Sequence, residues 1–331
     1  MTALVWPLIG EPHVPEPRDL VFLDCDTGID DALAIAYLAR SPSLQLVGVG
    51  TVSGNIDAAT AARNTLDLLD VLGLGDVPVA IGEHDFTTRA YSGGAPHVHG
   101  DNGIGGVVLP PSLRATHEQD AAHLLVTLAR QHPGQIRVLA IGPLTNLARA
   151  LEIEPDLPRL VRDVIVMGGA FLVPGNVTPL AEANIHNDPE AADAVFAADW
   201  AVTLVPLDVT TGHRFLQEHL DELLLAPAPY ASIGKMLDTY FDFYATVYGS
   251  RVAILHDPLA AAVLSGESQV TNTLDVPVLV TGGHGPDRGR TRADLRTDGS
   301  ATRRPVRVVL TVRELFAPVL LERLVGTGRA D

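Results

Sequence analysis

Short runs of consecutive apolar residues alternate along this chain with longer stretches whose apolar residues recur every three to four positions. Residues 19–25 are a near-continuous apolar run, the pattern of a strand covered on both faces, and residues 30–40 follow with helical spacing. The run 44–52 reads as the next strand, closed by Ser53-Gly54-Asn55. Within 56–72, Ala62, Leu66, Leu69 and Leu72 fall at near-helical spacing, and Gly73 supplies a stop. A short strand at 77–81 follows. After an interruption come a helix over 118–131, a strand over 136–141, the turn Gly142-Pro143-Leu144-Thr145-Asn146 into another helix, and a strand over 161–167 ending in Gly168-Gly169. Asp188-Pro189 opens a helix, with proline suited to a first turn. A strand over 201–207, helices across 213–249, and a helix opened by His256-Asp257-Pro258 come next. Strands at 274–281 and 305–311 and a helix at 312–324 close the pattern.

This alternation predicts an α/β fold: an open, mostly parallel sheet, mixed at its edge, with helices on both faces and a Rossmann-like core. No linker or repeat interrupts residues 19–331, which read as a single domain. Residues 1–18, with Pro7, Pro12, Pro15 and Pro17, read as an extended arm. Ligands of such sheets bind outside the carboxyl ends of the strands. Those ends carry Asp26, Asn55, Ile141, the 176–184 loop and Asp208. Two irregular stretches stand out. Residues 89–111 hold six glycines with His97 and His99, and a loop of that length reads as a lid. Residues 171–187 are the other.

Composition narrows the function. The chain has 331 residues, 47% of them hydrophobic, enough for a sizeable core and too many for whole-chain disorder. Forty acidic residues against 23 basic give a formal charge of −17, which argues against nucleic acid or an anionic membrane as partner. Cys25 is the single cysteine, so no intrachain disulfide forms, and it reads as a small buried hydrophobe. No apolar run is long enough to span a membrane, and the N-terminus lacks a secretory pattern; a cytoplasmic enzyme is expected.

The chemistry concentrates where the first strand hands over to the first helix. Asp24, Asp26, Asp30 and Asp31 put four carboxylates into eight residues. Ionised carboxylates so crowded repel one another unless a positive charge lies between them. A hard divalent cation is the simplest such charge, and Ca²⁺ prefers oxygen ligands. The absence of a Cys or His cluster favours a hard cation over zinc.

Asp24-Cys25-Asp26-Thr27-Gly28-Ile29-Asp30-Asp31-Ala32 resembles the N-terminal signature of the inosine–uridine-preferring nucleoside hydrolases. Thr51-Val52-Ser53-Gly54-Asn55, His99-Gly100, Gly142-Pro143-Leu144-Thr145-Asn146, Met167-Gly168-Gly169, Gly175-Asn176 with Glu182 and Asn184, and His256-Asp257-Pro258 continue the resemblance in the family's order, across about residues 20–315. Thr27, where the family commonly has proline, and Ala183, where an aromatic is common, depart from it.

The resemblance implies the nucleoside hydrolase fold and Ca²⁺ held by Asp26, Asp31, Asp257 and the backbone carbonyl of Ile141. It implies hydrolysis of the N-glycosidic bond of a small-molecule ribonucleoside to base and ribose, in nucleoside salvage, by a homodimer or homotetramer. Asp26 is the implied base that activates water, and Asp30 holds the 2′-hydroxyl region. Asn55, Asn176, Glu182 and Asn184 offer groups for the ribose hydroxyls. His256 matches the family's acid, since an ordinary imidazole suits proton donation near neutrality. His99 is the second candidate, and Tyr244 and Tyr248 would line the base. Plainer readings stand beside these. Asp31 also suits a helix start, Asp257 an N-cap ahead of Pro258, and the loop residues local turns. His97, His186, His213 and His284 read as structural or exposed. A mixed or pyrimidine base preference is expected, because His256 does not fit the purine-only branch. Two alternatives remain: a non-catalytic Ca²⁺-dependent nucleoside- or sugar-binding protein on the same fold, and a haloacid-dehalogenase-type phosphohydrolase using Asp24 and Asp26.

Overall fold

The computed structural model describes residues 18–296 and 303–326. All but the last residue of the predicted N-terminal arm lies outside the described residues. The strands are β1 (Asp19–Cys25), β2 (Leu44–Thr51), β3 (Val79–Ile81), β4 (Ile136–Ala140), β5 (Val161–Met167), β6 (Val202–Val205), β7 (Arg214–Leu216), β8 (Val252–Ile254), β9 (Val270–Val276), β10 (Val278–Val280), β11 (Thr291–Ala293) and β12 (Val306–Val312). Eight of them form one sheet in the order β3-β2-β1-β4-β5-β6-β12-β9. Every neighbour pair in it is parallel except β12–β9 at the edge, as expected of a mixed edge.

Alternation along the strands sends side chains to two separate cores. Val21, Leu23 and Cys25 enter the core that covers one face, with helices Ile29–Arg40, Tyr230–Tyr248, His256–Ser265 and Phe316–Val325. Phe22 enters the other, with helices Ala121–Gln131, Thr145–Ile153 and Pro189–Ala197. The helix Ile29–Arg40 is buried from Ile29 to Leu38, because sheet and helices surround it on all sides.

The sheet order reverses at β1: β2 lies on one side and β4, reached by a long crossover, on the other. A crevice opens at such a switch point. Registers bring the strand ends level, with Cys25 opposite Thr51, Asp24 opposite Ala140 and Met167 opposite Val205. Asp26, Val52, Ile141 and Gly168 therefore leave the sheet side by side.

Three segments depart from the sequence expectation by more than a shift of a few residues. The strand predicted at 274–281 is cut by Pro277, which has no N–H for a ladder. β9 stays on the sheet, and β10 leaves it to pair with β11. The span predicted as helical from 213 contains β7, antiparallel to β8. The irregular stretch 89–111 contains a one-turn helix, Pro96–His99, started by Pro96.

Candidate active site

Four segments meet at the switch point. Asp26 follows β1, and its Oδ2 accepts the Asn55 backbone N–H at 2.7 Å while Oδ1 accepts Asn55 Nδ2 at 3.1 Å. Asp31 accepts Gly28 N at 2.7 Å and Asn55 Nδ2 at 3.2 Å on Oδ2, and Asp26 N at 3.2 Å on Oδ1. Asn55 thus shares one amide between two carboxylates. Asp30 Oδ2 accepts the Tyr240 hydroxyl at 2.9 Å, and its Oδ1 is buried without a hydrogen-bond partner. Asp257 lies in the first turn of the helix His256–Ser265, not at its N-cap, which is Leu255. Asp30, Asp31 and Asp257 each bring one oxygen to within 4.8 Å of the others.

Burial and mutual repulsion weaken these acids. Burial, then Asp30, pushes Asp31 up to about 7. Asp26 is raised well above the carboxylate range by burial and Asp31, and Asp257 by burial, Asp30 and Asp31. Asp30 is raised by burial, against the opposing pull of His256 and Tyr240. Without a positive partner this cluster resists carrying all its charge.

Facing it is a chain of hydrogen bonds. The Tyr240 hydroxyl lies 3.5 Å from that of Tyr244, which lies 2.9 Å from His256 Nε2, while His256 Nδ1 lies 2.8 Å from Thr210 Oγ1. Burial lowers His256 to about 4, so its imidazole is neutral near pH 7 despite the pull of Asp30. The expectation of an ordinary imidazole differs from what is found here, because burial of the ring disfavours the imidazolium. His99, the second candidate acid, is lowered to about 3 by burial. Its Nδ1 accepts the Ile29 N–H at 3.1 Å, so it is a neutral wall residue.

Asp30, Asn55, His99, Ile141, Asn176, Glu182, Asn184, Tyr244, Tyr248, His256 and Asp257 line one cavity of about 610 Å³, whereas Asp26 and Asp31 lie behind its wall and are not among the lining residues. Tyr248 stacks on Tyr244 with centroids 5.6 Å apart. Glu182 accepts three backbone N–H groups, from Gly169, Asn184 and Ile185, at 2.9–3.1 Å. Asn184 Nδ2 donates to the carbonyl of Ile141 at 2.9 Å and to that of Met167 at 3.2 Å. Asn176 is exposed, and its Oδ1 accepts Ala183 N. The Asp208 carboxylate, marked by the sequence only as a strand end, accepts Phe171 N and Leu172 N and anchors the 171–187 loop. Asp24 does not line the cavity. It is fully buried with Oδ1 on Asn146 Nδ2 at 2.7 Å, which removes the nucleophile of the phosphohydrolase alternative.

The model of the family described as inosine-uridine preferring nucleoside hydrolase matches residues 21–316. The chain belongs to this family. Relatives of this hydrolase include uridine nucleosidase 1 of Arabidopsis thaliana, 39% identical over 257 residues, 76% of this chain and 75% of that one. The inosine-uridine preferring nucleoside hydrolase of Leishmania major is 36% identical over 290 residues, 85% and 88% of the two chains. Among solved structures, a plant nucleoside hydrolase aligns with a TM-score of 0.89 at 32% identity, over 93% of this chain and 99% of that one. The purine-preferring ribonucleoside hydrolase from Gardnerella vaginalis aligns at 0.85 and 32%, over 93% and 97%.

Sequence reasoning missed several cavity residues of the hydrolase. His97, read as exposed or structural, lines the wall and packs edge-on against Phe243 at 5.8 Å. Tyr240 was missed although it lies one helical turn before Tyr244. The spacing i, i+4 was the available signal. Arg214, which also lines the cavity, carried none, standing in the mixed polar run Thr210-Thr211-Gly212-His213 ahead of a predicted helix. Among the described residues, no helix is long and apolar enough to cross a membrane.

Proposed function

We propose that this enzyme cleaves the N-glycosidic bond of ribonucleosides, uridine and inosine among them, with Ca²⁺ as its cation. The observation that carries the reading is one cavity with an acidic cluster at one end and the Tyr240–Tyr244–His256 chain at the other. The residues fit a hard cation: oxygen donors from separate segments, repelling one another, with Asp30 Oδ1 buried and unspent. Asp30, Asp31 and Asp257 would bring their converging oxygens to it, joined by the Ile141 carbonyl and by Asp26, which lies outside that cluster. A bound Ca²⁺ supplies the positive charge that keeps these carboxylates ionised and acidifies neighbouring water.

The chain's own groups then divide the work. Asp26, fixed by two bonds from Asn55, takes a proton from the attacking water. Asp30, braced by Tyr240, offers Oδ1 to a ribose hydroxyl. Glu182 keeps one acceptor site beyond its three backbone bonds and, with Asn176 and Asn184, lines the sugar end. These carboxylates stabilise an oxocarbenium-like transition state. Tyr244 presents its hydroxyl to the departing base, and neutral His256, itself bonded to Thr210, holds that hydroxyl in place. Base recovery for salvage, a cytoplasmic location and a homodimer or homotetramer belong to the same reading. Incubation with uridine or inosine should release free ribose; ribose-free mixtures with all common ribonucleosides would defeat the proposal.

A further inference from the structure

Arg214 is an unspent cation at the mouth of the cavity. It opens β7, where its pairing with Ile254 of β8 sets it beside the strand that leads into His256. Its guanidinium carbon lies 4.9 Å from the centroid of Tyr248, the ring stacked on Tyr244. The residue is exposed and lines the cavity, and its side chain makes no hydrogen bond or ion pair among the described residues. In a chain of formal charge −17, such a guanidinium is conspicuous.

The acidic cluster and the buried tyrosine hydroxyls define where sugar and glycosidic nitrogen sit. Tyr248 and Arg214 lie further out, at the exposed rim. A base stacked in this wall therefore turns its remote edge toward Arg214, not the atoms beside the glycosidic bond. A guanidinium only donates hydrogen bonds, through a planar fork. It matches an exocyclic oxygen on that edge and opposes an exocyclic amine, which presents its own hydrogens. The charge that builds on a departing oxo-base spreads onto this oxygen, so the contact strengthens as the bond breaks.

We propose that Arg214 is a specificity residue that reads the remote oxygen of the leaving base, favouring 4-oxo pyrimidines and 6-oxo purines over their amino counterparts. The inference rests on the hydrolase reading of the same cavity. Its test is kcat/KM for uridine, cytidine, inosine and adenosine with wild type, Arg214→Gln and Arg214→Lys. A glutamine amide can accept or donate, so the uridine:cytidine and inosine:adenosine ratios should each fall about tenfold or more, with an intermediate fall for lysine. Unchanged ratios, with or without a general loss of rate, overturn the proposal. So does a loss shared by uridine and cytidine but spared by inosine, which would mean contact with the oxygen beside the glycosidic bond. Binding of free uracil and cytosine, measured by calorimetry on the same three proteins, needs no turnover. A wild type that cleaves none of the four nucleosides defeats the hydrolase reading, while the uracil-over-cytosine binding ratio still decides the role of Arg214.

Discussion

Replacing Tyr244 with phenylalanine removes one oxygen atom from the wall of the cavity. The His256 contact at 2.9 Å and the Tyr240 contact at 3.5 Å go with it, and the ring stack on Tyr248 stays. Only the shorter contact has the length of a full hydrogen bond. A buried imidazole nitrogen is left unpaired, at a cost of about 1–3 kcal/mol. Unfolding entropy for a chain of this size is about 0.7 kcal/mol/K, so Tm should fall by about 1.5–4 °C and the protein stay folded. On the proposed reading, in which the Tyr244 hydroxyl faces the departing base, catalysis should lose far more, because removing a positioned proton donor typically costs about 10²–10⁴-fold. The assay compares kcat for uridine with kcat for p-nitrophenyl riboside, whose leaving group is stable as an anion. Uridine should lose about 10²-fold or more and the nitrophenyl substrate less than about threefold. Equal losses on both would place the hydroxyl's effect on the sugar or the fold, and refute the assignment.

Other outcomes follow from the acidic end. Exhaustive EGTA treatment should abolish activity and added Ca²⁺ restore it. At about 100 times Kd, Ca²⁺ should also raise Tm by about 4 °C, and a chelated enzyme that works normally with an unmoved Tm refutes the cation. Asp26→Asn should cut kcat by about 10²–10⁴-fold with little change in stability, read by steady-state kinetics and melting. Gly54→Ala should reach a similar loss by displacement, since a Cβ there would lie 2.0 Å from Asp26 Oδ2. A near-wild-type kcat for Gly54→Ala would show that the carboxylate's position is not critical.

How much of this was legible in the chain depends on the range of the interaction. The apolar runs that became β1, β2, β4 and β5 are local signals, and the carboxyl-end rule then placed Asp26, Asn55 and Ile141 at one edge. The reversal of order at β1 is a long-range pairing that periodicity does not encode. The Asp30–Tyr240 bond joins residues 210 apart, so neither the brace on Asp30 nor the burial that neutralises His256 could be read locally. Arg214 was hidden for a different reason. β7 is three residues long and lies beside helices, too short for a period-2 pattern to register.

The distribution of hydrogen-bond donors over the acids is itself informative about what the cluster is for. Asp31, at the start of a helix whose N–H groups and dipole favour negative charge, has donors on both oxygens. Asp30 has one donor, on the oxygen turned to Tyr240, and Asp257 has none among the described residues. A cluster built only for stability would spread its donors evenly or be replaced by apolar residues, since buried carboxylates cost more than they return. Here the donors to Asp31 come from the strand-end loops and the donor to Asp30 from Tyr240, while one oxygen each of Asp30, Asp31 and Asp257 lies within 4.8 Å of the others. Burial first, and repulsion after it for Asp31 and Asp257, disfavours their charged forms, and a bound cation would oppose both. The same convergence explains the proposed Tm gain with Ca²⁺, because the ion would relieve a repulsion already present in the folded chain and absent from the unfolded one.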